Sequence, residues 1–284
     1  MDLSQLLAGP YCTMLLADLG ADVIKIEKPE QGDIMRGLAP HTYKAINRNK
    51  RSLVLNLKQN EGQRLFRKIA GSADIVVESY RPGAAEKLGV GYRAIREVNP
   101  AIIYCSITGY GQEGPYRNGT GQEISYPGIE ELLGNLGSTG KKPPGLPIPH
   151  LSSALFAALS ILSAFIARGK TGKGEYIDVA MTDGLMSWMS ISSCDFVSGG
   201  RRQRKSDGMD RPSTKLFVTI PYRGAERLTL AKFPARSSNY RPTIYFPPPE
   251  LGEHTEDILM SMGFTDSDIE QLRERGVFGI GSPE

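Results

Sequence analysis

Asp22-Val23-Ile24-Lys25-Ile26-Glu27 starts a repeating order of short β-branched runs and longer amphipathic segments that continues to residue 108. Ser52–Leu57 (SLVLNL), Asp74–Glu78 (DIVVE) and Ala101–Ile107 (AIIYCSI) are further strands by composition. Pro10–Leu19, Asn60–Ala70 and Tyr92–Val98 are the helices between and before them. Strand and helix in alternation require right-handed crossovers and a parallel sheet covered on both faces. The expected fold class is therefore α/β, a doubly wound, Rossmann-like parallel sheet.

Such sheets bind ligands beyond the carboxyl ends of their strands. Three polar or glycine-bearing loops fall there: Lys28-Pro29-Glu30-Gln31-Gly32-Asp33, Ser79-Tyr80-Arg81-Pro82-Gly83 and Thr108-Gly109-Tyr110-Gly111-Gln112. Residues 109 to 149 are rich in glycine and proline and read as a long connection over the pocket. A helix from Leu151 follows, with Leu155, Leu159, Leu162 and Ile166 at helical spacing. Its serines at 152, 153, 160 and 163 suit burial in protein better than contact with lipid. Glu175–Met181 reads as a strand, Asp183–Ser190 as a helix, 215 to 246 as short strands and Gly252–Arg275 as helical.

Composition narrows the function. The 284 residues suffice for a large domain and carry 34 basic and 31 acidic side chains, so a formal charge of +3 asks for no nucleic acid. The basic run at 201–205 has no aromatic residues interleaved as a stacking platform would need, and reads as a surface loop. Cys12, Cys105 and Cys194 lack paired spacing, which argues against disulfides and structural zinc and for a cytoplasmic setting. The N-terminus lacks the basic start and apolar run of a signal peptide. His41, His150 and His254 are too scattered for a metal site, and His254 reads as a helix cap. Gly109-Tyr110-Gly111-Gln112-Glu113-Gly114 has dinucleotide-site spacing, but Pro115 follows where a helix would have to open.

Several longer stretches then match one family in order. They are Asp2-Leu3-Ser4-Gln5, Ala17-Asp18-Leu19-Gly20-Ala21-Asp22-Val23-Ile24-Lys25-Ile26-Glu27, Asn47-Arg48-Asn49-Lys50-Arg51-Ser52, Glu78-Ser79-Tyr80-Arg81-Pro82-Gly83, Thr171-Gly172-Lys173-Gly174 and Leu251-Gly252-Glu253-His254-Thr255. Together they resemble the type III CoA-transferases, a family that includes formyl-CoA and carnitine CoA-transferases and α-methylacyl-CoA racemases; the central part is closest to the racemase-like branch. The resemblance covers roughly residues 1 to 190 and 226 to 280. It implies a large CoA-binding domain over 1–190, a remnant of a small domain over 191–246 and a helical segment over 247–284 that returns to the large domain. The family's strand ahead of the Asp2 segment and most of its small domain are expected to be missing, leaving a reduced second lobe.

The resemblance also implies ligands and roles. Acyl-CoA and a carboxylic acid would be substrates, with no permanently bound cofactor. Lys28, Ser79, Tyr80 and Arg81 would lie along the CoA, with Arg48 and Arg51 near its phosphates, where guanidinium forks suit phosphate oxygens. His150 stands where the transferases place the carboxylate that attacks the thioester. Gln122, with Glu123 beside it, stands where the racemase branch has a histidine base, and an amide cannot accept an α-proton. Three readings stay open: a CoA-transferase, an α-methylacyl-CoA racemase-like isomerase, and a non-catalytic partner subunit or degenerate paralogue. The family's assembly implies an interlocked homodimer, or a heteromer with a full-length homologue.

Overall fold

Residues 1–3 join the architecture together. In a computed structural model that describes residues 1–119, 147–185, 187–188, 217–221, 227–231 and 246–279, this short extended piece is hydrogen-bonded on both sides. Asp2 donates its N–H to Ile24 O and accepts from Ile26 N, both at 2.8 Å, while Leu3 donates to Val77 O at 2.8 Å. It thereby links two parallel ladders. One pairs β1 (Val23–Glu27) with β2 (Lys50–Val54). The other runs β3 (Ile75–Glu78), β4 (Ile103–Thr108) and β5 (Glu175–Ala180).

The strands fall where the β-branched runs predict, with one shift. The second strand is Lys50–Val54 rather than 52–57, because pairing starts at Val23↔Lys50 and ends at Glu27↔Val54. Two charged residues therefore enter the ladder, and Asn56, Leu57 and Lys58 become loop. The helices α1 (Ala8–Asp18), α4 (Asn60–Ala70) and α6 (Tyr92–Val98) fall close to the predicted spans, and short α2 (Met35–Leu38), α3 (Pro40–Ile46) and α5 (Ala84–Lys87) fill the connections. Then come α7 (Ile148–Thr171), a helical turn at 181–185, an antiparallel pair β6 (Phe217–Pro221) and β7 (Arg227–Ala231), α8 (Thr255–Ser261) and α9 (Asp266–Glu274).

Side chains alternate along a strand, so a sheet buried on both faces needs two cores. One holds Val76 and Tyr104 with Leu65, Phe66 and Ile69 of α4, Ile95 of α6, Ile258 of α8 and Ile269 of α9. The other holds Val77, Ile103, Cys105 and Ile107 with Cys12 and Leu16 of α1 and Ala154, Ala157 and Ile161 of α7. The 246–279 stretch borders β2: Gly252 N–H donates to Ser52 Oγ at 2.9 Å and Val54 N–H to Thr255 Oγ1 at 3.1 Å. His254 holds the N-cap position of α8 without capping it; its Nδ1 instead faces the Ser52 N–H at 3.4 Å.

Ser152 and Ser153 of α7 are buried as their polarity suggested, but the row of leucines at helical spacing faces outward. Leu155, Leu159, Leu162, Phe165 and Ile166 are exposed, Leu159 by 65% and Ile166 by 67%. The sheet takes the small face, Ser152, Ser153, Ala154, Ala157, Ala158 and Ala164, because small side chains let the helix backbone approach α1, β4 and β5 closely. By length and composition α7 could cross a membrane, yet this face is packed on protein.

Beneath the first turn of α1 lies a buried polar centre. Asp2 carries Lys50 at 3.0 Å and Thr13 at 2.7 Å on one oxygen, with Lys25 at 3.8 Å, and its other oxygen accepts from the Ser4 N–H and hydroxyl. Lys50 completes its three donors on Pro10 O and Asn47 Oδ1, and Lys25 reaches Ser4 O at 2.9 Å and Asp33 at 3.0 Å. Burial pushes Lys50 down to about 8, whereas the two ammonium groups hold the Asp2 carboxyl far below its usual range against the desolvation that opposes them. A depressed carboxyl contributes stability above its unfolded pKa, and that stability is lost as pH falls toward the folded value. Acid unfolding is therefore expected to set in below about pH 4. Asp2→Ala should cost about 3–5 kcal/mol in denaturant titrations, since it strands two buried ammonium groups. A loss under 1 kcal/mol, or unchanged stability between pH 7 and pH 3, would refute this account.

Candidate functional site

A cavity of about 420 Å³ opens at the carboxyl ends of β1 and β2, closed on one side by the loop after β3. Ile26, Leu55, Leu57, Leu88 and Tyr80 supply its apolar lining; Gln5, Lys28, Gln31, Asn56 and Lys58, with the carboxylates of Glu27 and Glu30, supply polar atoms. A parallel sheet puts its ligand site at this edge because the loops there converge from neighbouring strands.

Each wall is fixed by hydrogen bonds. Glu27, the last residue of β1, is buried and receives Arg36 through both oxygens, Nε at 2.9 Å and Nη2 at 2.7 Å. It also accepts from Ser52 Oγ at 2.7 Å and Asp33 N–H at 2.9 Å. Burial works against its ionisation, but these donors win and hold its carboxyl below the usual range. Loop 28–33 is thereby pinned at its far end, while Lys28 projects outward and donates to Gln31 Oε1 at 2.8 Å. Gly32 sits at φ +60°, and a Cβ there would meet Glu27 Oε1 at 2.7 Å, so the turn needs glycine. On the facing wall the Ser79 hydroxyl accepts from Gln5 N–H at 3.0 Å and donates to Gln5 O at 3.3 Å.

The site residues named from the sequence divide by place. Lys28 and Tyr80 line the cavity, Ser79 is bonded to lining residue Gln5, and Arg81 follows in the same loop, exposed. Arg48 and Arg51 lie elsewhere. Both precede or open β2 and so emerge at the amino end of the sheet, where Arg48 pairs with Asp18 at 2.6 Å and Arg51 with Asp22. A guanidinium committed to a carboxylate at that end cannot also face this cavity. Gln122 and Glu123 lie outside the described residues.

His150 stands in the first turn of α7, two residues after Ile148, which packs with Leu185 and Tyr110, and is not among the cavity's lining residues. Its Nδ1 is buried without a hydrogen-bond partner among the described residues, and burial lowers its pKa, so the imidazole is neutral. The neutral state is the one expected for a helix N-terminus, with desolvation as the cause here. Sequence reasoning missed Gln5, Asn56 and Lys58. Asn56 follows from the strand shift, because ending β2 at Val54 places it in the loop after a strand; Lys58 lies in that loop on either reading.

The glycine-rich run after β4 opens no helix over 112–119; Gln112 N–H is taken by Asp178 Oδ2 at 2.8 Å. Among the described residues no group of three His, Cys, Asp or Glu side chains could hold a metal ion.

An apolar lining with an aromatic residue and two lysines at the rim suits an elongated ligand with a phosphate-bearing end. Comparison with known proteins agrees on the family. The chain is 36% identical over 214 residues to human succinyl-CoA:glutarate CoA-transferase, which covers 72% of this chain and 49% of that protein. It is 40% identical over 223 residues to succinyl-CoA:mesaconate CoA-transferase of Haloarcula marismortui, covering 71% and 56%. The chain thus spans about half the length of the curated relatives it matches. In fold it is similar to the solved CAIB/BAIF family protein from Brucella suis, with a TM-score of 0.76 at 23% identity over 92% of this chain and 97% of that one. The description CoA-transferase family III matches residues 1–222, and the chain belongs to that family.

Proposed function

We propose that this chain binds the CoA part of an acyl-CoA in the cavity beside Tyr80 and takes part in CoA transfer between carboxylic acids. The observation that carries the reading is the cavity itself: Lys28 and Lys58 at the rim and Tyr80 with Leu55 and Leu57 in the apolar lining, in a member of CoA-transferase family III. Ammonium groups suit the phosphates, and an aromatic and aliphatic lining suits adenine and the pantetheine arm. Both relatives compared above carry succinyl-CoA in their names, with glutarate or mesaconate as second substrate, so a small dicarboxylic acid is the acyl class we assign. Acyl-CoA acts as substrate, and the reading calls for no resident cofactor.

Within this proposal the neutral imidazole of His150 attacks the thioester carbonyl and expels CoA thiolate, leaving an N-acylimidazolium that keeps its ring proton. An acceptor carboxylate displaces the imidazole to give a mixed anhydride. The thiolate then takes the acceptor acyl group and releases the first acid. We further infer a doubly wound, Rossmann-like unit, supported by the central position of residues 1–3 and by helices packed on both sheet faces. A cytoplasmic setting is supported by the unpaired buried thiols of Cys12 and Cys105.

A second reading, a partner subunit, is favoured by the exposed stripe on α7. Five large apolar side chains along one helix suit a second copy of the chain or a full-length homologue.

Calorimetry should detect CoA binding to the purified chain, weakened about tenfold by Lys28→Ala and by Lys58→Ala. Absence of heat at millimolar CoA would sink the reading. Incubation with succinyl-CoA should leave a succinyl mass adduct on His150 that His150→Ala lacks; a substrate-competent chain with no adduct would remove the covalent route. If α7 seats a second copy, Leu159→Glu should halve the mass measured by light scattering, and an unchanged mass would exclude that interface.

A further inference from the structure

Glu78 ends β3 under the cavity wall and is almost fully buried, yet the charged groups acting on it are two further carboxylates, Glu86 of α5 and Asp178 of β5. Arg36 holds Glu27 and two lysines hold Asp2, but among the described residues no cation stands among the groups that act on Glu78. What holds it is a main-chain donor: the Tyr80 N–H donates to Glu78 Oε2 at 2.7 Å. The Ser106 hydroxyl, which accepts from Tyr176 OH at 3.1 Å, also acts to favour the ionised carboxylate. The remaining titratable neighbours are the phenols of Tyr80, Tyr104 and Tyr176 and the thiol of Cys105.

The Tyr80 hydrogen bond to Glu78 comes from a main-chain N–H, a donor that is stronger toward an ionised carboxylate than toward a neutral carboxyl. The Tyr80 N–H cannot reverse, because it is main chain, and Tyr80 is one of the residues that line the cavity.

We propose that Glu78 is a positioning residue that holds the Tyr80 main chain, so that the affinity of the cavity for CoA follows the ionisation of this one side chain. The proposal deepens the CoA-binding reading and rests on it. Burial pushes the Glu78 carboxyl up to about 7, opposed by Ser106 and the Tyr80 N–H, so the change falls within the working range of a cell. The sign is fixed: above that value the carboxylate holds the Tyr80 N–H by a charge-assisted bond, and below it the neutral carboxyl holds it more weakly.

The stability sign is opposite. A carboxyl with a raised native pKa binds more protons folded than unfolded between about 4.5 and about 7, so its contribution to stability falls as pH rises through that interval. The chain thus keeps a destabilising group beside its cavity, a pattern common at functional positions.

The test has two arms. In the ligand-free chain labelled with ¹⁵N-tyrosine, the Tyr80 amide resonance, assigned by its disappearance in Tyr80→Phe, should titrate with a midpoint near pH 7. It should lose that titration in Glu78→Gln, and its midpoint should move upward in Ser106→Ala, which removes a group that favours the ionised carboxylate. In the second arm, calorimetric affinity for CoA should rise up to about tenfold from pH 6 to pH 8 in the parent and stay flat in Glu78→Gln, one proton being linked to binding. A Tyr80 amide that does not titrate, or a Glu78→Gln variant that keeps the parent's pH profile, overturns the proposal. A titrating amide without CoA binding at any pH would leave the Glu78 assignment standing and remove the CoA reading instead.

Discussion

Asp2 meeting Lys25 and Lys50 in the dry interior is the constraint on which the arrangement depends. Its main chain stitches two ladders into one surface, and its side chain gathers an ammonium from each strand of the first ladder and a hydroxyl from α1. Desolvating such ions is costly, and replacing them with well-packed apolar residues is often neutral or better, so their presence calls for a reason beyond stability. The connectivity supplies one. Lys25 also binds Asp33, which accepts from Met35 N–H and donates its own N–H to Glu27, so the polar centre reaches the loop that forms one wall of the cavity. Register, helix seating and cavity rim are set by one connected group of charges.

The cavity inherits its shape from this arrangement. Glu27 and Glu78 end adjacent structural units of the sheet edge and act alike in form: each carboxylate takes a main-chain N–H from the loop that follows it. They differ in electrostatics. A guanidinium keeps Glu27 ionised, whereas Glu78 takes the Tyr80 main-chain N–H and burial raises its carboxyl toward neutrality. One wall is thereby permanent and the other responsive.

Much of the fold was legible in the chain because β-branched runs and amphipathic segments alternate without interruption up to residue 108. The first and second strands show where legibility stops. Residues 1–3 are too few for a periodic signal, and Lys50 and Arg51 look like surface residues, although Lys50 is wholly buried. Buried charge in a strand cannot be told from exposed charge without knowing what lies opposite. The cavity edge was legible for Lys28 and Tyr80, since the rule that ligands meet strand ends depends only on strand order. Arg48 and Arg51 were named by residue type, which suggests phosphate, and their position at the start of β2 sets them at the other end of the sheet from this cavity.

The outward leucines of α7 also reverse the usual map of mutational tolerance. On this helix the residues that cannot grow are the modest ones, Ala154, Ala157, Ala158 and Ala164, wedged between sheet and neighbouring helix. Leu159 and Ile166, which a hydropathy plot would mark as untouchable, can be exchanged for polar residues at little cost to the monomer's own packing. Variation at those two positions would report on whatever the chain touches, and variation at the alanines on whether it folds.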